Sequence, residues 1–394
     1  QRHFGHVPKI GDAFCGGGSI PFEAARIGCQ ALGSDLNPLA GILTWGSLNI
    51  LGASSTIQDQ VDKDLGTIYK AADSQIKEWG IEHNERNERA DAYLYCIEVK
   101  PDGCDYFIPL APSWEISGKQ HVVVKWKRRE GSDRLDPVVE QVSGSEYNLY
   151  KQKKFATISD GRIIDPFDPG RTWSLESVRG PQGLARWSKN DIKPRPDDAF
   201  QERLYCIRWV NGRGERSYAA PTTTDIECES KVTEILAKRW DEWQDKGFIP
   251  SKQIESGYNT DQPIRERGWT YWHHLFNPRQ LLTNGLIAEQ SSKYADTKES
   301  RIAGILALGK VLNMNARLCR WHVRYSAIDK GEDVFSNQAL NPLFNYCCRS
   351  LSGLQDSWNL RLKDAHTGAS HAVILSDARD IDQTCDLWIT DPPY

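Results

Sequence analysis

Residues 9–38, KIGDAFCGGGSIPFEAARIGCQALGSDLNP, decide the fold. The segments KIGDAF and CQALGSD predict two strands, and IPFEAARIG between them predicts a helix with Pro21 near its first turn and Gly28 at its end. Asn37 and Pro38 supply the cap and first residue of a second helix. Strands that alternate with helices at this spacing predict a parallel α/β sheet.

The glycine loop CGGGS follows the first predicted strand, where backbone N–H groups and the positive end of a helix can face a ligand. Gly16, Gly17 and Gly18 would let a bulky ligand approach the main chain without a Cβ clash. Asp35 follows Gly16 by 19 residues, close to the spacing of about 20 at which an acid reaches ribose hydroxyls in dinucleotide folds. The alternative is a turn that merely requires glycine.

The form of the loop narrows the choice of ligand. It lacks the G-x-G-x-x-G pattern of nicotinamide sites, and no lysine follows it to neutralise the phosphates of a nucleoside triphosphate. A nucleoside with an adjoining cation remains, for which Asp12 would suit an α-amino group and Asp35 the ribose. S-adenosylmethionine has both features and is the predicted cofactor.

The last nine residues, DLWITDPPY, predict a buried strand over residues 386–390 that ends at Asp391, Pro392, Pro393 and Tyr394. The two prolines cannot donate to a sheet, so they end the strand and leave carbonyl groups free. The Asp391 carboxylate is a second acceptor, and the Tyr394 ring can stack on a heterocycle. These four residues are the predicted catalytic site, where a planar amine would be held; the alternative is a turn that ends a strand.

Such a site would activate an exocyclic amino group, whose lone pair is otherwise delocalised into its ring. Hydrogen bonds from both N–H groups to fixed acceptors favour a pyramidal nitrogen, and no covalent enzyme intermediate is required. A carbon-methylating enzyme would need a Pro-Cys nucleophile pair, which the chain lacks. Asp377, after the predicted strand HAVIL, could accept from the adenine amino group of the cofactor while the Ala378 N–H faces a ring nitrogen, or it could cap a helix.

The chain has 394 residues, too many for one ordinary domain. The pattern predicts an α/β domain interrupted by a large insert. The predicted segments are a first half over 1–58, a helical connection over 59–90, a β-rich insert over 91–225, a helical region over 226–335 and a second half over 336–394.

The composition is that of a globular protein, with 39% hydrophobic and 26% charged residues. No apolar run reaches the length of a membrane helix, and the ten scattered cysteines do not form a secreted disulfide framework, so a cytoplasmic location is expected. The start without Met and the abrupt end predict a piece of a longer protein. His273 and His274 are expected to pack in an aromatic core.

The motifs DAFCGGGS, GSDLNP, SDARD and DLWITDPPY resemble those of the amino-methyltransferases of DNA, which use S-adenosylmethionine. Together with PRPDDAFQERLYCIRW, HHLFNPRQLL and LCRWH, they are similar to the adenine-specific DNA methylases that have an embedded zinc-ribbon-like insert and are associated with phage defence. The resemblance implies a Rossmann-like class I methyltransferase sheet, incomplete after its fourth strand and interrupted by a large α+β insert that recognises the target. The residues it assigns to cofactor binding are Asp12, Phe14, Cys15, Gly16, Gly17, Gly18 and Asp35, with Asp391 to Tyr394 at the target amine.

The chain departs from that family in its cysteines. Cys96 and Cys104 lie eight residues apart, and the matching second stretch, ISDGRIIDPFDPG, has no cysteine. Because tetrahedral zinc takes four ligands, commonly in closely spaced pairs, a metal-free hairpin is predicted.

The predicted function is methylation of DNA at an exocyclic base amino group by a site-specific methyltransferase, with a role in phage defence or restriction–modification. Adenine N6 is favoured over cytosine because the resemblance associates Asp391 with adenine enzymes. The target base would be flipped out of the duplex. Basic stretches at 125–134 and 151–154 could contact phosphates or could form a solvated face. Methylation of RNA or of a protein glutamine, and a non-catalytic DNA-binding subunit that works with other defence proteins, are the alternatives.

Overall fold

The computed structural model describes residues 3–180, 182–258, 260–337, 345–360, 362, 367 and 371–392, which form a mixed α/β structure with several sheets. The strands are β1 (Lys9–Asp12), β2 (Gln30–Asp35), β3 (Arg89–Val99), β4 (Ile108–Leu110), β5 (Glu115–Ser117), β6 (Val122–Lys127), β7 (Asp136–Gln141), β8 (Ile158–Ser159), β9 (Arg162–Ile164), β10 (Thr172–Ser174), β11 (Gln201–Val210), β12 (Arg216–Ala219), β13 (Trp321–His322), β14 (Lys330–Gly331), β15 (Tyr346–Arg349), β16 (His371–Leu375) and β17 (Leu387–Trp388). The α-helices are α1 (Ser19–Arg26), α2 (Pro38–Gly46), α3 (Ser55–Trp79), α4 (Gly144–Lys151), α5 (Leu175–Arg179), α6 (Thr223–Ala237), α7 (Trp240–Asp245), α8 (Asp261–Arg267), α9 (Pro278–Tyr294), α10 (Lys298–Met314) and α11 (Leu351–Trp358). None of these helices combines the length and the apolar character that crossing a membrane requires.

The chain divides into two compact units. The first comprises Gln1–Ala72, Ile287–Lys310 and Asp356–Tyr394, and the second comprises Asp73–Leu286 and Val311–Gln355. Segments from both ends of the sequence therefore build the first unit.

A four-stranded sheet in the order β16-β2-β1-β17 forms the centre of the first unit, and all of its pairings are parallel. This confirms the predicted parallel sheet. The strand–helix alternation of the first fifty residues is also as predicted, and Asn37 caps α2 by accepting from the Leu39 N–H at 3.0 Å. The apolar core between the sheet and its helices contains Ile10, Ala24, Ala25, Ala31 and Leu48.

Strand β17 lies at an edge of this sheet and is more exposed than the sequence predicted. Leu387, Trp388 and Ile389 are 45%, 43% and 49% exposed, so the prediction of a buried strand here is wrong. The reason is that β17 has one neighbour, β1, in the described part of the chain. An apolar run predicts burial only where other elements cover it.

Antiparallel sheets form most of the second unit. One has the order β12-β11-β3-β15, with β4 also paired to β3, and another has the order β5-β6-β7. The β3–β4 pairing joins Val99 to Ile108 and forms the hairpin predicted for the segment that contains Cys96 and Cys104. A buried cluster rich in Trp, Tyr and β-branched residues packs around these strands.

Glu202 is the centre of a buried ionic cluster in the second unit. The Glu202 carboxylate accepts from Arg267 at 2.6 Å, from Arg317 at 3.0 Å and from the Tyr346 hydroxyl at 3.0 Å. All four side chains are buried, and both arginines form an ion pair with this carboxylate.

His273 and His274 are fully buried among aromatic rings, as predicted. His274 Nδ1 accepts from the N–H groups of Thr270 and Tyr271, while Nε2 lies 3.0 Å from the Ser188 carbonyl oxygen. This environment fits a neutral ring that carries its proton on Nε2. Burial lowers the pKa of His274 to about 3.

Candidate functional site

The two ends of the sequence meet at one end of the parallel sheet. Because β1 and β17 pair in parallel, Asp12 at the end of β1 and the residues that follow β17 lie at the same end of the sheet, where the carboxyl ends of the strands meet. The Ile389 N–H donates to the Gly11 carbonyl at 2.9 Å, and the Thr390 side chain hydrogen-bonds to the Asp12 carboxylate. The site therefore brings together the glycine loop and the segment that contains Asp391 and Pro392; Pro393 and Tyr394 lie outside the described residues.

Asp12 is a buried carboxylate in a negative environment. Burial raises its pKa, against the opposing effect of hydrogen bonds from the Phe14 N–H and Thr390, and the charges of Asp35 and Asp391 raise it further. A bound cation would offset the energetic cost of burying this charge and would reduce the repulsion between the carboxylates.

The glycine loop is held by contacts to the next strand and helix. The Cys15 N–H donates to the Ser34 carbonyl at 2.9 Å, and the Gly16 N–H donates to Asp35 Oδ2 at 3.0 Å. The buried Thr44 hydroxyl on α2 lies 3.2 Å from both Cys15 Sγ and the Gly16 carbonyl oxygen. Cys15 is a small packed residue, and burial raises the pKa of its thiol.

The three glycines of the loop differ in what the fold requires of them. Gly16 and Gly18 have φ angles of +51° and +84°, and a Cβ on Gly18 would lie 2.8 Å from the Thr44 Cα. Gly17 has no such φ angle, and a Cβ added there would meet no atom within 4 Å. A side chain at Gly17 would thus point into open space. The fold explains two of the glycines but not the third.

Asp35 and Asp377 both make backbone contacts. Each oxygen of the half-buried Asp35 carboxylate accepts one N–H, from Gly16 and from Asn37 at 2.9 Å, which leaves further lone pairs for a ligand. Asp377 accepts from the Arg379 N–H at 3.0 Å, as the capping alternative predicts, and caps the short turn that begins at Ala378. Its ion pair with the Arg379 guanidinium lowers the pKa of the carboxyl to about 2.

Sequence reasoning missed Thr44 and Thr390. Thr44 supports the loop from a helix whose approach to Gly18 no local pattern reveals. Thr390 directly precedes Asp391, so its position next to the predicted site was the one available signal.

The two basic stretches differ in how many of their charges form ion pairs. In residues 125–134, Lys125 pairs with Glu146 at 2.7 Å, Arg128 pairs with Asp105 at 2.6 Å, and Arg134 pairs with Glu98. These pairs neutralise most of the charge that DNA phosphates would need. In residues 151–154, the exposed Lys153 and Lys154 have no ion pair within the described parts of the chain.

The insert cysteines Cys96 and Cys104 are buried free thiols. Across the described ranges, no group of three or more His, Cys, Asp or Glu side chains is arranged to hold a metal ion.

No protein-family model, curated protein or solved structure matches the chain. The functional argument therefore depends on the geometry of the site.

Proposed function

We propose that this chain is the S-adenosylmethionine-dependent part of a methyltransferase that acts on an exocyclic amino group of a DNA base, with adenine N6 favoured. The supporting observation is the parallel pairing of β1 with β17, with Ile10 opposite Leu387 and Gly11 opposite Trp388. This pairing brings the glycine loop beside Asp391.

The strand order also supports this proposal. Numbered in chain order, the strands lie 3-2-1-4 across the sheet, which is the order of the first four strands of the doubly wound nucleotide-binding fold. In such folds ligands bind outside the carboxyl ends of the strands, at the point where the strand order reverses. Here that point lies between β1 and β17. A Rossmann-like class I methyltransferase sheet is consistent with this order.

The residues at this edge suit S-adenosylmethionine. An aspartate lies at or shortly after the carboxyl end of each of four neighbouring strands, in the order Asp377, Asp35, Asp12 and Asp391. Three strand spacings of about 4.8 Å make this row about 14 Å long. A ligand lying along it would have its adenine near Asp377, its ribose at Asp35 and its ammonium group at Asp12.

The open backbone at Gly17 leaves room for such a ligand. When bound, S-adenosylmethionine supplies an electrophilic methyl group, which is exchanged for a proton on the target amine.

Asp391 and Pro392 would bind that amine. The Asp391 carboxylate and the Pro392 carbonyl accept its two N–H bonds, which favours a pyramidal nitrogen with a free lone pair. Asp391 can also take the proton that the nitrogen loses. Their contribution is positional and electrostatic.

The substrate class follows from the same site. A nucleobase amine in a duplex must be flipped out to reach it, and Tyr394 is proposed to stack on the flipped base. An RNA base or a protein glutamine amide would present a similar planar amine. A role in phage defence is part of the proposal for the whole protein.

The test is transfer of a tritiated methyl group by the full-length protein to DNA, RNA and protein acceptors. We expect transfer to DNA, its loss in Asp391→Ala, and normal transfer in Asp382→Ala, which removes an exposed aspartate of the same segment. Transfer to RNA or protein alone would show that the substrate is that molecule and not DNA. If neither the wild type nor Asp391→Ala transfers methyl and both shift DNA equally in gels, the chain is a binding subunit.

A further inference from the structure

The second unit contains a cavity of about 1160 Å³, lined by residues between Pro112 and Leu175. Small-molecule pockets usually measure about 300–1,000 Å³, so this cavity has room for a ligand longer than a single compact metabolite. Every lining residue belongs to the second unit, and the proposed methyl-transfer residues all belong to the first.

Two tryptophans in the cavity wall have unsatisfied donors. Trp114 and Trp126 are buried with their rings 5.0 Å apart in an edge-on arrangement, and both line the cavity. Neither indole N–H has a hydrogen-bond acceptor among the described residues. Because neither nitrogen is accessible to solvent, the two rings contribute apolar surface to the cavity wall and no exposed donor.

Exposed aromatic rings also line the cavity. Phe155 and Phe167 are 41% and 47% exposed, and Phe155 lies against Tyr150 with the ring centres 4.5 Å apart. The loop of Phe167 is fixed by the buried Asp165, which accepts from the Phe167 N–H at 2.9 Å and from the Tyr106 hydroxyl at 2.6 Å. Fixed, exposed phenyl rings are available to stack on a planar ligand.

The charges of the lining leave two free cations. Lys125 is neutralised by Glu140 and Glu146, whereas Lys153 and Lys154 have no ion pair in the described parts of the chain. Asp160 also lines the cavity and accepts from the adjacent Ser159 hydroxyl. Asp160 has no ion pair in the described parts of the chain either, so the unpaired charges of the lining sum to one positive charge, which favours an anionic ligand.

We propose that this cavity binds nucleotides of a single-stranded nucleic acid. The phenyl rings stack on bases, the buried Trp114 and Trp126 rings supply apolar wall, and Lys153 and Lys154 contact phosphates. Aromatic platforms beside cationic groups are the usual basis of single-strand binding. The inference deepens the proposed function by naming a second contact with the nucleic acid, but it depends on different residues.

The experiment measures fluorescence anisotropy of a labelled single-stranded DNA of about 12 nucleotides, within the usual site size of about 4–16. Stacking on aromatic side chains is worth about 1–3 kcal/mol per base, so Phe155→Ala combined with Phe167→Ala should weaken binding at least tenfold. Phe335→Ala, which removes an exposed ring outside the cavity, should leave binding unchanged.

A second pair of variants tests the charge. Lys153→Gln combined with Lys154→Gln should reduce the salt dependence of binding, whereas Lys231→Gln combined with Lys238→Gln, two exposed lysines outside the cavity, should not. Adenosine monophosphate should compete better than ribose phosphate, because only the former can stack.

Equal binding by wild type and the double phenylalanine variant, with matching melting temperatures, would overturn the inference. So would equal competition by the two phosphates, or the absence of binding by the wild type. Methyl transfer is a separate readout. If binding depends on Phe155 and Phe167 but the protein transfers no methyl group, the proposed function is refuted and the binding site in the cavity is still supported.

Discussion

Replacing Gly17 by alanine separates a glycine required by a ligand from one required by the fold. At Gly18, alanine would need a left-handed backbone, which costs roughly 1–2 kcal/mol, and its Cβ would lie 2.8 Å from the Thr44 Cα. At Gly17, alanine meets neither obstacle, and the lower entropy of the unfolded chain should stabilise the fold by about 0.4–1 kcal/mol. The two substitutions should therefore change stability in opposite directions.

Ligand binding should respond differently from stability. A methyl group at Gly17 fills the space through which a nucleoside would approach the loop, so we expect the dissociation constant to rise at least tenfold, about 1.4 kcal/mol. Gly66→Ala is the matched control, because a Cβ there also meets nothing within 4 Å and the residue lies in helix α3 of the same unit. It should stabilise the protein and leave binding unchanged.

The assay combines urea unfolding with calorimetric titration of S-adenosylhomocysteine, which shares the nucleoside and amino acid parts of the cofactor. Our reasoning is refuted if Gly17→Ala binds this ligand as tightly as the wild type. It is also refuted if Gly17→Ala destabilises the protein as Gly18→Ala does, because the loop would then need glycine at both positions for the fold.

Three further predictions concern the fold itself. Burial lowers the pKa of His274 to about 3 and that of His273 to about 4, from an ordinary value of 6.5, so stability in urea unfolding should fall as pH decreases below 6.5, by about 2 kcal/mol for each ring at pH 5; a flat profile would contradict this. Glu202→Gln removes the charge shared by two buried arginines and should cost about 3–5 kcal/mol in urea unfolding, against less than about 1 kcal/mol for the exposed Glu176→Gln. Leu387→Lys on the sheet edge should reduce concentration-dependent light scattering more than Leu36→Lys, and an equal effect would show that the edge does not drive association.

Local signals predicted the first fifty residues well. Strand lengths, the proline at the start of α2 and the Asn37 cap all act within a few residues, so the sequence pattern alone carries them. The prediction of one α/β domain interrupted by an insert placed strands from both ends of the chain in one sheet, but it did not specify that β17 pairs with β1.

Tertiary neighbours explain what the sequence did not predict. From the sequence, the basic run at 125–134 could equally contact phosphates or form a solvated face, and Glu98, Asp105 and Glu146 neutralise much of its charge from other parts of the chain. The exposure of Trp388 depends equally on what covers it, since an edge strand and a central strand can share one pattern of residues. Whether a charge is paired and whether a side chain is buried both depend on the tertiary fold.

The electrostatics of the sheet edge favour a ligand over a purely structural turn. A turn that only ended β1 would gain nothing from a buried Asp12 whose charge is opposed by burial and by the nearby Asp35 and Asp391. Hydrogen bonds from Phe14 and Thr390 offset this cost only in part, because the pKa of Asp12 remains raised. A cationic ligand would convert that unfavourable term into binding free energy, because its charge would be attracted by every carboxylate that now repels Asp12. The same arrangement would repel a nucleoside triphosphate, which agrees with the proposal of a nucleoside that carries positive charge.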